Sequence, residues 1–246
     1  MKITIITVCY NSAITIEKTI VSVAKQTYKN IEFIIIDGES KDNTLEIVKK
    51  HESVVFNWIS EPDKGLYDAM NKGISMATGH VIGILNSDDT FNSNTVIEEI
   101  ANFHTQNNIE ASVGNITQHK ENGKMVRLYS SKYWNPEKLT IGFMPPHPSI
   151  FFKRELFNKY GVYDLGFKIG ADYELITRFF LKNKISWKYS GITTTAMLVG
   201  GLSSSGTSSY KLISKEIQKA LSMNGILFSP FKIKMRFFWK IIGFLK

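Results

Sequence analysis

The chain opens on an apolar, β-branched run from Ile3 to Cys9 that stops at Tyr10-Asn11-Ser12. β-Branched side chains pack well on a pleated surface, so this run predicts a buried first strand. Ile16, Ile20, Val23 and Ala24 recur at helical spacing and predict a helix over about 13–26, with Ser12 as its cap. Ile31 to Ile36 is almost unbroken in apolar character and ends at Asp37-Gly38, as expected of a parallel strand covered on both faces. A helix near 41–50, a strand near 54–59 and a helix over 65–78 follow. A strand from Val81 to Leu85 then runs into Asn86-Ser87-Asp88-Asp89. Strand and helix periods that alternate in this way predict a doubly wound parallel sheet over the first ninety residues or so.

The second half alternates less regularly. The pattern predicts a helix over 93–107, a strand over 111–117 and a polar loop from Asn115 to Lys124. Pro145-Pro146-His147-Pro148 forces extended backbone, because each proline disfavours helix before it. Ser149 to Phe152 reads as a strand, 171–182 as a helix beginning with Asp172, and 186–198 as extended. Gly200 to Ser209 reads as a Gly/Ser loop. No linker divides the body, so the expected organisation is a domain over 1–208 and a helical segment over 209–246.

In open α/β sheets ligands bind beyond the carboxyl ends of the strands. Three predicted strands end in polar residues suited to that place: Tyr10-Asn11, Asp37-Gly38 and Asn86-Ser87-Asp88-Asp89. Adjacent carboxylates repel one another and gain from a hard divalent ion that also takes phosphate oxygens; a turn followed by a helix cap is the alternative reading of Asp88-Asp89. Asp37 suits hydrogen bonds from a base N–H or ribose hydroxyls. Lys64, at the start of a predicted helix, suits a diphosphate, or is simply solvated. Asp172 is either a general base toward a hydroxyl or a helix cap. His147, between prolines, is either a pocket residue or a structural hydrogen-bonding residue; no second His or Cys lies at ligand spacing.

Composition narrows the class. With 246 residues, 43% of them apolar, the chain can bury an ordinary core. No apolar run reaches the length of a spanning helix, and the short first run reads as a strand rather than a leader. The single cysteine, Cys9, excludes an internal disulfide and suits a reducing compartment. The net charge is +8, but 225–246 holds five basic residues and no acidic one, which leaves +3 for the remainder. A body of that charge is not built to wrap nucleic acid. The interleaved basic and aromatic residues of 228–246 suit an interfacial helix on anionic lipid; a terminal helix packed on the body is the alternative. A dinucleotide dehydrogenase would need Gly-x-Gly-x-x-Gly after the first strand, and Thr7 to Ala13 has no glycine. A nucleotidyltransferase would need a Gly-rich phosphate loop there.

Several motifs, in order and at matching spacing over roughly residues 1–205, resemble the family 2 glycosyltransferases. They are Thr7-Val8-Cys9-Tyr10-Asn11, Asp37 to Thr44, Ser60 to Gly73, Ala77-Thr78-Gly79, Leu85 to Asp89 and Ala171 to Leu175. The resemblance implies a GT-A, Rossmann-like α/β fold: a mostly parallel central sheet flanked by helices, followed here by a basic amphipathic helical tail. It implies an inverting, metal-dependent transfer of one sugar from a nucleotide-sugar, UDP by family preference, to a glycan or lipid-linked saccharide in bacterial surface polysaccharide assembly. Mn2+ or Mg2+ is the implied cofactor. Asp172 would be the catalytic base. Thr7, Tyr10, Asn11, Asp37, Lys64, Asn71 and Asp88 would hold the donor, Asp89 and Asp88 the metal, and His147 and Tyr173 the acceptor or its pocket. The expected place is the cytoplasm, peripheral on the inner face of the membrane through 228–246. Asn86 stands where the family commonly has a further Asp, which bears on the metal geometry; Ala171 replaces the usual acid, which leaves one carboxylate there; and Met70 replaces the common Arg, so the diphosphate would lean on Lys64 or the metal. The Gln-x-x-Arg-Trp pattern of processive synthases is absent from the 246 residues, which implies single addition. A non-catalytic, membrane-attached module that binds nucleotide-sugar or glycan on the same fold is the competing class.

Overall fold

Runs of β-branched residues at 3–9 and 31–37 form two neighbouring parallel strands that are buried along nearly their whole length. The computed structural model describes residues 1–55, 57–199 and 206–236, the side chains of 206–208 excepted. Two compact units divide them. Unit 1 holds 1–132, 145–162 and 186–199, and unit 2 holds 133–144, 163–185 and 200–246.

In unit 1 the order is β1 (Ile3–Cys9), α1 (Ile16–Ala24), β2 (Ile31–Asp37), α2 (Thr44–Lys50), β3 (Asn57–Ser60), α3 (Leu66–Met76) and β4 (Val81–Ile84). It continues with β5 (Thr90–Phe91), α4 (Val96–Asn107), β6 (Ala111–His119), β7 (Met125–Tyr129), β8 (Ile150–Lys153), α5 (Glu155–Tyr160) and β9 (Trp187–Leu198). The sheet order is β3-β2-β1-β4-β8-β6-β9-β5, with β7 beside β6. β3, β2, β1 and β4 are mutually parallel. The connections run outward from β1 to β2 and β3, then return to place β4 on the other side of β1, which makes the β1/β4 boundary the topological switch point.

The expectation of a mostly parallel sheet holds for this half and fails in the other. β8 runs antiparallel to both β4 and β6, β6 and β9 are parallel, and β5 and β7 are antiparallel to their partners. Both faces of the parallel half are covered. Ile3, Ile5, Phe33 and Ile35 pack into one cluster with Ile16 and Ile20 of α1, Val48 of α2 and Ile100 of α4. On the opposite face α3 lies so close to β1 that a Cβ on Gly73 would meet Ile6 Cγ2 at 2.4 Å. Glycine is the residue that permits this approach.

Several local expectations are corrected. The expected loop at 115–124 is strand as far as His119, then a turn, then β7. α1 begins at Ile16 with Thr15 as its cap residue and no side-chain cap. Instead the Ser12 carbonyl accepts from Thr15 N and Ile16 N at 3.0 and 2.9 Å. Pro145 to Pro148 is partly a tight helical turn, His147–Ser149.

Unit 2 contains the tight turn Pro136–Ile141, α6 (Ala171–Ile176), a wider π-type turn over Thr177–Lys182, and α7 (Gly206–Met223). Its core includes Trp134, edge-on to Phe180 at 5.3 Å between ring centres. The expected Gly/Ser loop to Ser209 is corrected at its end, since 206–209 open α7; residues 200–205 lie outside those described. After α7 the chain turns at Gly225 (φ 71°), a left-handed position natural to glycine, and is helical again over 230–236. Ile233 is 0% exposed and Arg236 donates to the Gly142 carbonyl at 3.2 Å. The described part of the expected lipid-facing tail is thus partly packed on its own unit, while 237–246 lie outside the described residues.

Candidate active site

The carboxyl ends of β1, β2, β3 and β4 meet through hydrogen bonds between loops. Asn11 adopts a left-handed backbone (φ 49°), which asparagine tolerates better than most residues. Its side-chain oxygen accepts from Lys41 N at 2.8 Å and its own amide donates to Ser40 Oγ at 2.8 Å. Ser12 N donates to Thr44 Oγ1 at 2.8 Å, and Ser12 Oγ lies 3.0 Å from Ser87 Oγ. The loop after β1 therefore bridges the loop after β2 and the acidic turn after β4.

Asp37 is fully buried at the end of β2. It accepts from Ser40 N and Ser60 Oγ at 2.9 and 2.6 Å, from Ser40 Oγ at 2.5 Å, and from Cys9 Sγ at 3.5 Å. Burial, and then the Asp37 charge, push the Cys9 thiol far up, so it stays protonated and is a donor here. Beyond Asp37 the bare face of Gly38 is flanked by two side chains. A Cβ there would meet Asp63 Oδ2 at 2.5 Å and the Tyr10 ring at 3.5 Å. Asp63 is aimed by Gly65 N, which donates to its Oδ1 at 2.7 Å. Gly65 itself sits at φ 113° before α3, a conformation reserved in practice for glycine. Tyr10 is 62% exposed, and Lys64 is exposed beside Asp63, while Asn71 is half-buried on α3.

In the acidic turn Asp88 is exposed and Asp89 is buried. Asp89 Oδ1 accepts from Leu198 N of β9 at 3.2 Å and Oδ2 from Asn86 Nδ2 at 3.1 Å. Burial, reinforced by the Asp88 charge, pushes the Asp89 carboxyl up to about 7. Asn86 Oδ1 is buried with no hydrogen-bond partner among the described residues. Two hard carboxylates, one of them destabilised by its like-charged neighbour, and an orphaned amide oxygen suit Mg2+ or Mn2+. Among the described residues no three His, Cys, Asp or Glu side chains form a metal cluster. Of the pair, Asp88 faces outward and Asp89 anchors the turn.

Two of the expected site residues have their hydroxyls engaged within the fold. Thr7 is fully buried, with its hydroxyl donating to the Leu85 carbonyl at 2.6 Å; it ties β1 to the end of β4. Tyr173, 3% exposed, donates its hydroxyl to the Leu139 carbonyl and is a core residue of unit 2. Burial pushes its phenol far up. His147 is half-buried in unit 1, and desolvation of its ring brings its pKa down to about 4, so it is neutral. Asp172, in unit 2, is half-buried in the first turn of α6, with Tyr173 N donating to its Oδ1 at 2.7 Å. The approach of Asp63 to Gly38 is a contact between loops, and the nearby Gly65 is the signal in the sequence that this backbone is specially shaped.

The geometry agrees with what similarity finds. Residues 4–162 match Glycosyl transferase family 2. The chain is 33% identical over 178 residues to an uncharacterized glycosyltransferase of Mycobacterium tuberculosis, covering 72% of this chain and 68% of that protein. It is 32% identical over 139 residues to an Escherichia coli UDP-Glc:alpha-D-GlcNAc-diphosphoundecaprenol beta-1,3-glucosyltransferase, WfgD, covering 56% of this chain and 53% of that one. In fold it is similar to residues 1–349 of S. aureus TarS, solved in complex with UDP-GlcNAc. The TM-score is 0.71 at 20% identity, over 90% of this chain and 66% of that one. A parallel half-sheet with its polar strand ends gathered at the switch point, a GT-A-like fold and a family match across most of unit 1 lead to one conclusion: the chain belongs to glycosyl transferase family 2 and is a glycosyltransferase.

Proposed function

We propose that the chain transfers one sugar from a UDP-sugar to a hydroxyl of a lipid-linked saccharide, with inversion, in assembly of a surface polysaccharide. The observation that carries the reading is the cluster around Gly38, where the exposed Tyr10 ring and the Asp63 carboxylate flank a bare backbone next to buried Asp37. A pyrimidine offers a flat face to an aromatic ring and an N–H edge to a carboxylate. Tyr10 takes the face and Asp63 the edge, with buried Asp37 behind them at the end of β2. Asn11 and Asn71 line the donor, and Lys64 adds positive charge toward the diphosphate. Asn86, Asp88 and Asp89 would hold Mn2+ or Mg2+. Bound there, the ion neutralises charge on the departing diphosphate.

Asp172 takes the acceptor proton. The acceptor oxygen forms its bond to the anomeric carbon while the bond from that carbon to the diphosphate oxygen breaks, and the nucleotide leaves with the bonding pair. One displacement inverts the centre. His147, neutral, is assigned to the acceptor side as a hydrogen-bonding group. The names of the Escherichia coli relative and of the TarS complex support a UDP-linked donor, and the former supports a lipid-diphosphate acceptor. Residues 228–246, basic and aromatic without an acidic residue, support attachment to the inner face of an anionic membrane. Among the described residues no helix is long and apolar enough to cross a membrane.

Calorimetric titration of UDP, GDP and dTDP, each with and without Mn2+, tests the reading. Manganese-dependent binding of UDP alone is expected. Binding of GDP or dTDP in its place would overturn the choice of nucleotide, and failure of all three to bind the folded protein would overturn the donor site.

A further inference from the structure

Three backbone amides in succession converge on one carboxylate just before α6. Lys168 N donates to Glu216 Oε1 at 2.8 Å, and Ile169 N and Gly170 N donate to Oε2 at 3.0 and 2.7 Å. Glu216 belongs to α7, is 7% exposed, and stands 46 residues from Gly170 in sequence. Hydrogen bonds to an ionised acceptor are roughly twice as strong as neutral ones. A single buried carboxylate holding three of them fixes the local backbone far more firmly than a side-chain cap would. α6 has no such cap, because Gly170 occupies its cap position. A Cβ on Gly170 would come to 3.1 Å from both Glu216 Cβ and Oε2, so glycine is what lets the carboxylate reach the amides.

The turn after that helix also grips the far side of α6. Asn224 Nδ2, in the turn that follows α7, donates to Glu174 Oε1 at 3.1 Å, and Glu174 is paired with Arg178 at 2.7 Å. Asp172 lies between the two holds, two residues after Gly170 and two before Glu174. The backbone that leads into Asp172 is held by Glu216, and Asn224 holds the Glu174 side chain on its other side.

We infer that Glu216 is a positioning residue for the transfer reaction, acting through Asp172 by holding the amides of residues 168–170. The inference rests on Asp172 being the base. Misplacing a reacting group by about an ångström costs on the order of 100-fold in rate, while a donor site built from unit 1 residues is untouched.

The test is a double-mutant cycle in the full chain, with a radiolabelled donor so that residual rates are measurable. Glu216→Gln is expected to lower kcat by roughly 10- to 100-fold, with donor KM and UDP affinity changed by no more than about twofold. Introduced into Asp172→Asn, it is expected to cost nothing further. Gly170→Ala, which crowds the same carboxylate from the other side, should give a smaller loss of the same kind and serves if Glu216→Gln does not fold. An equal loss in both backgrounds, or no loss in the parent, overturns the inference. Asp172→Asn measured alone reports separately on the base, and near-normal transfer by it would reject that assignment.

Discussion

Leu198 N donates to Asp89 Oδ1 at 3.2 Å, joining the end of β9 to the acidic turn after β4. The turn is closed on its other side by Asn86 Nδ2, which donates to Oδ2. Neighbouring carboxylates thereby acquire different duties, Asp89 inward and Asp88 outward. Asp88→Ala is expected to leave the melting temperature within about 2 °C of the parent, as for an exposed position without structural contacts. It should also abolish the manganese-dependent part of nucleotide binding. Asp89→Ala is expected to lower stability by about 1–3 kcal/mol through the unpaired groups it leaves. Differential scanning calorimetry and nucleotide titration on the two variants separate the roles.

Gly38 supplies a steric test of the base cradle. A methyl at this position would overlap Asp63 Oδ2, 2.5 Å away, and move the carboxylate that Gly65 N otherwise holds. Gly38→Ala is expected to weaken UDP binding by about 10-fold, the effect of one misplaced charge-assisted contact. Because the displaced atom ends a short side chain at the surface, the fold should persist. Calorimetry with UDP and a circular dichroism melt read the two consequences.

Acid stability should fall in two stages. Burial and then the Lys153 charge hold His104 down to about 4, and desolvation does the same to His147. Since the unfolded chain protonates these imidazoles first, the two histidines lower stability as pH drops from about 6.5 toward 4, against a partial offset from Asp89, whose raised pKa adds stability as pH falls from about 7. Glu32 acts lower. Its burial favours the neutral acid, but hydrogen bonds from Lys2, Thr4 and Thr78 outweigh this and bring its pKa down to about 2. The stability it provides is complete above its unfolded value and is lost as pH falls from about 4.5 to 2. Its depressed pKa corresponds to about 3 kcal/mol. Denaturant melts of the parent and Glu32→Gln should therefore differ most at neutral pH and converge near pH 2.

The terminal segment gives a prediction about location. Deleting 237–246 is expected to release the protein from anionic vesicles while leaving UDP affinity unchanged, since basic residues near an anionic surface contribute about 1 kcal/mol each. Co-sedimentation of the truncated form with such vesicles to the parent extent would reject the membrane role of those residues.

The sheet centre was legible because β1, β2 and β4 are buried on both faces, and only apolar, β-branched residues suit that place. Their ends were legible because Asp37 and Asp88 interrupt those runs abruptly. β7 was hidden for the converse reason. It pairs with β6 alone, and Met125, Val126 and Leu128 are all about half exposed, so no apolar alternation marks it. The end of β6, Thr117-Gln118-His119, is polar yet paired on both sides. The carbonyl partners of Thr7 and Tyr173 were not legible, because a hydroxyl in a motif looks the same whether it meets a ligand or a carbonyl. The partners of Asp63 and Gly170 lie far away in sequence, beyond any local pattern.

The placement of β9 bears on the order in which the molecule becomes competent during synthesis. β1 to β4 can pair once about the first third of the chain has left the ribosome, and the Tyr10–Gly38–Asp63 cradle can form with them. Asp89 has no Leu198 amide to receive until β9 emerges and inserts between β6 and β5. Such distant pairings form late, because closing long loops costs entropy before contacts repay it. A nascent chain thus completes the edge proposed to take the base well before its acidic turn is anchored, and the late strand ties that anchoring to completion of the sheet.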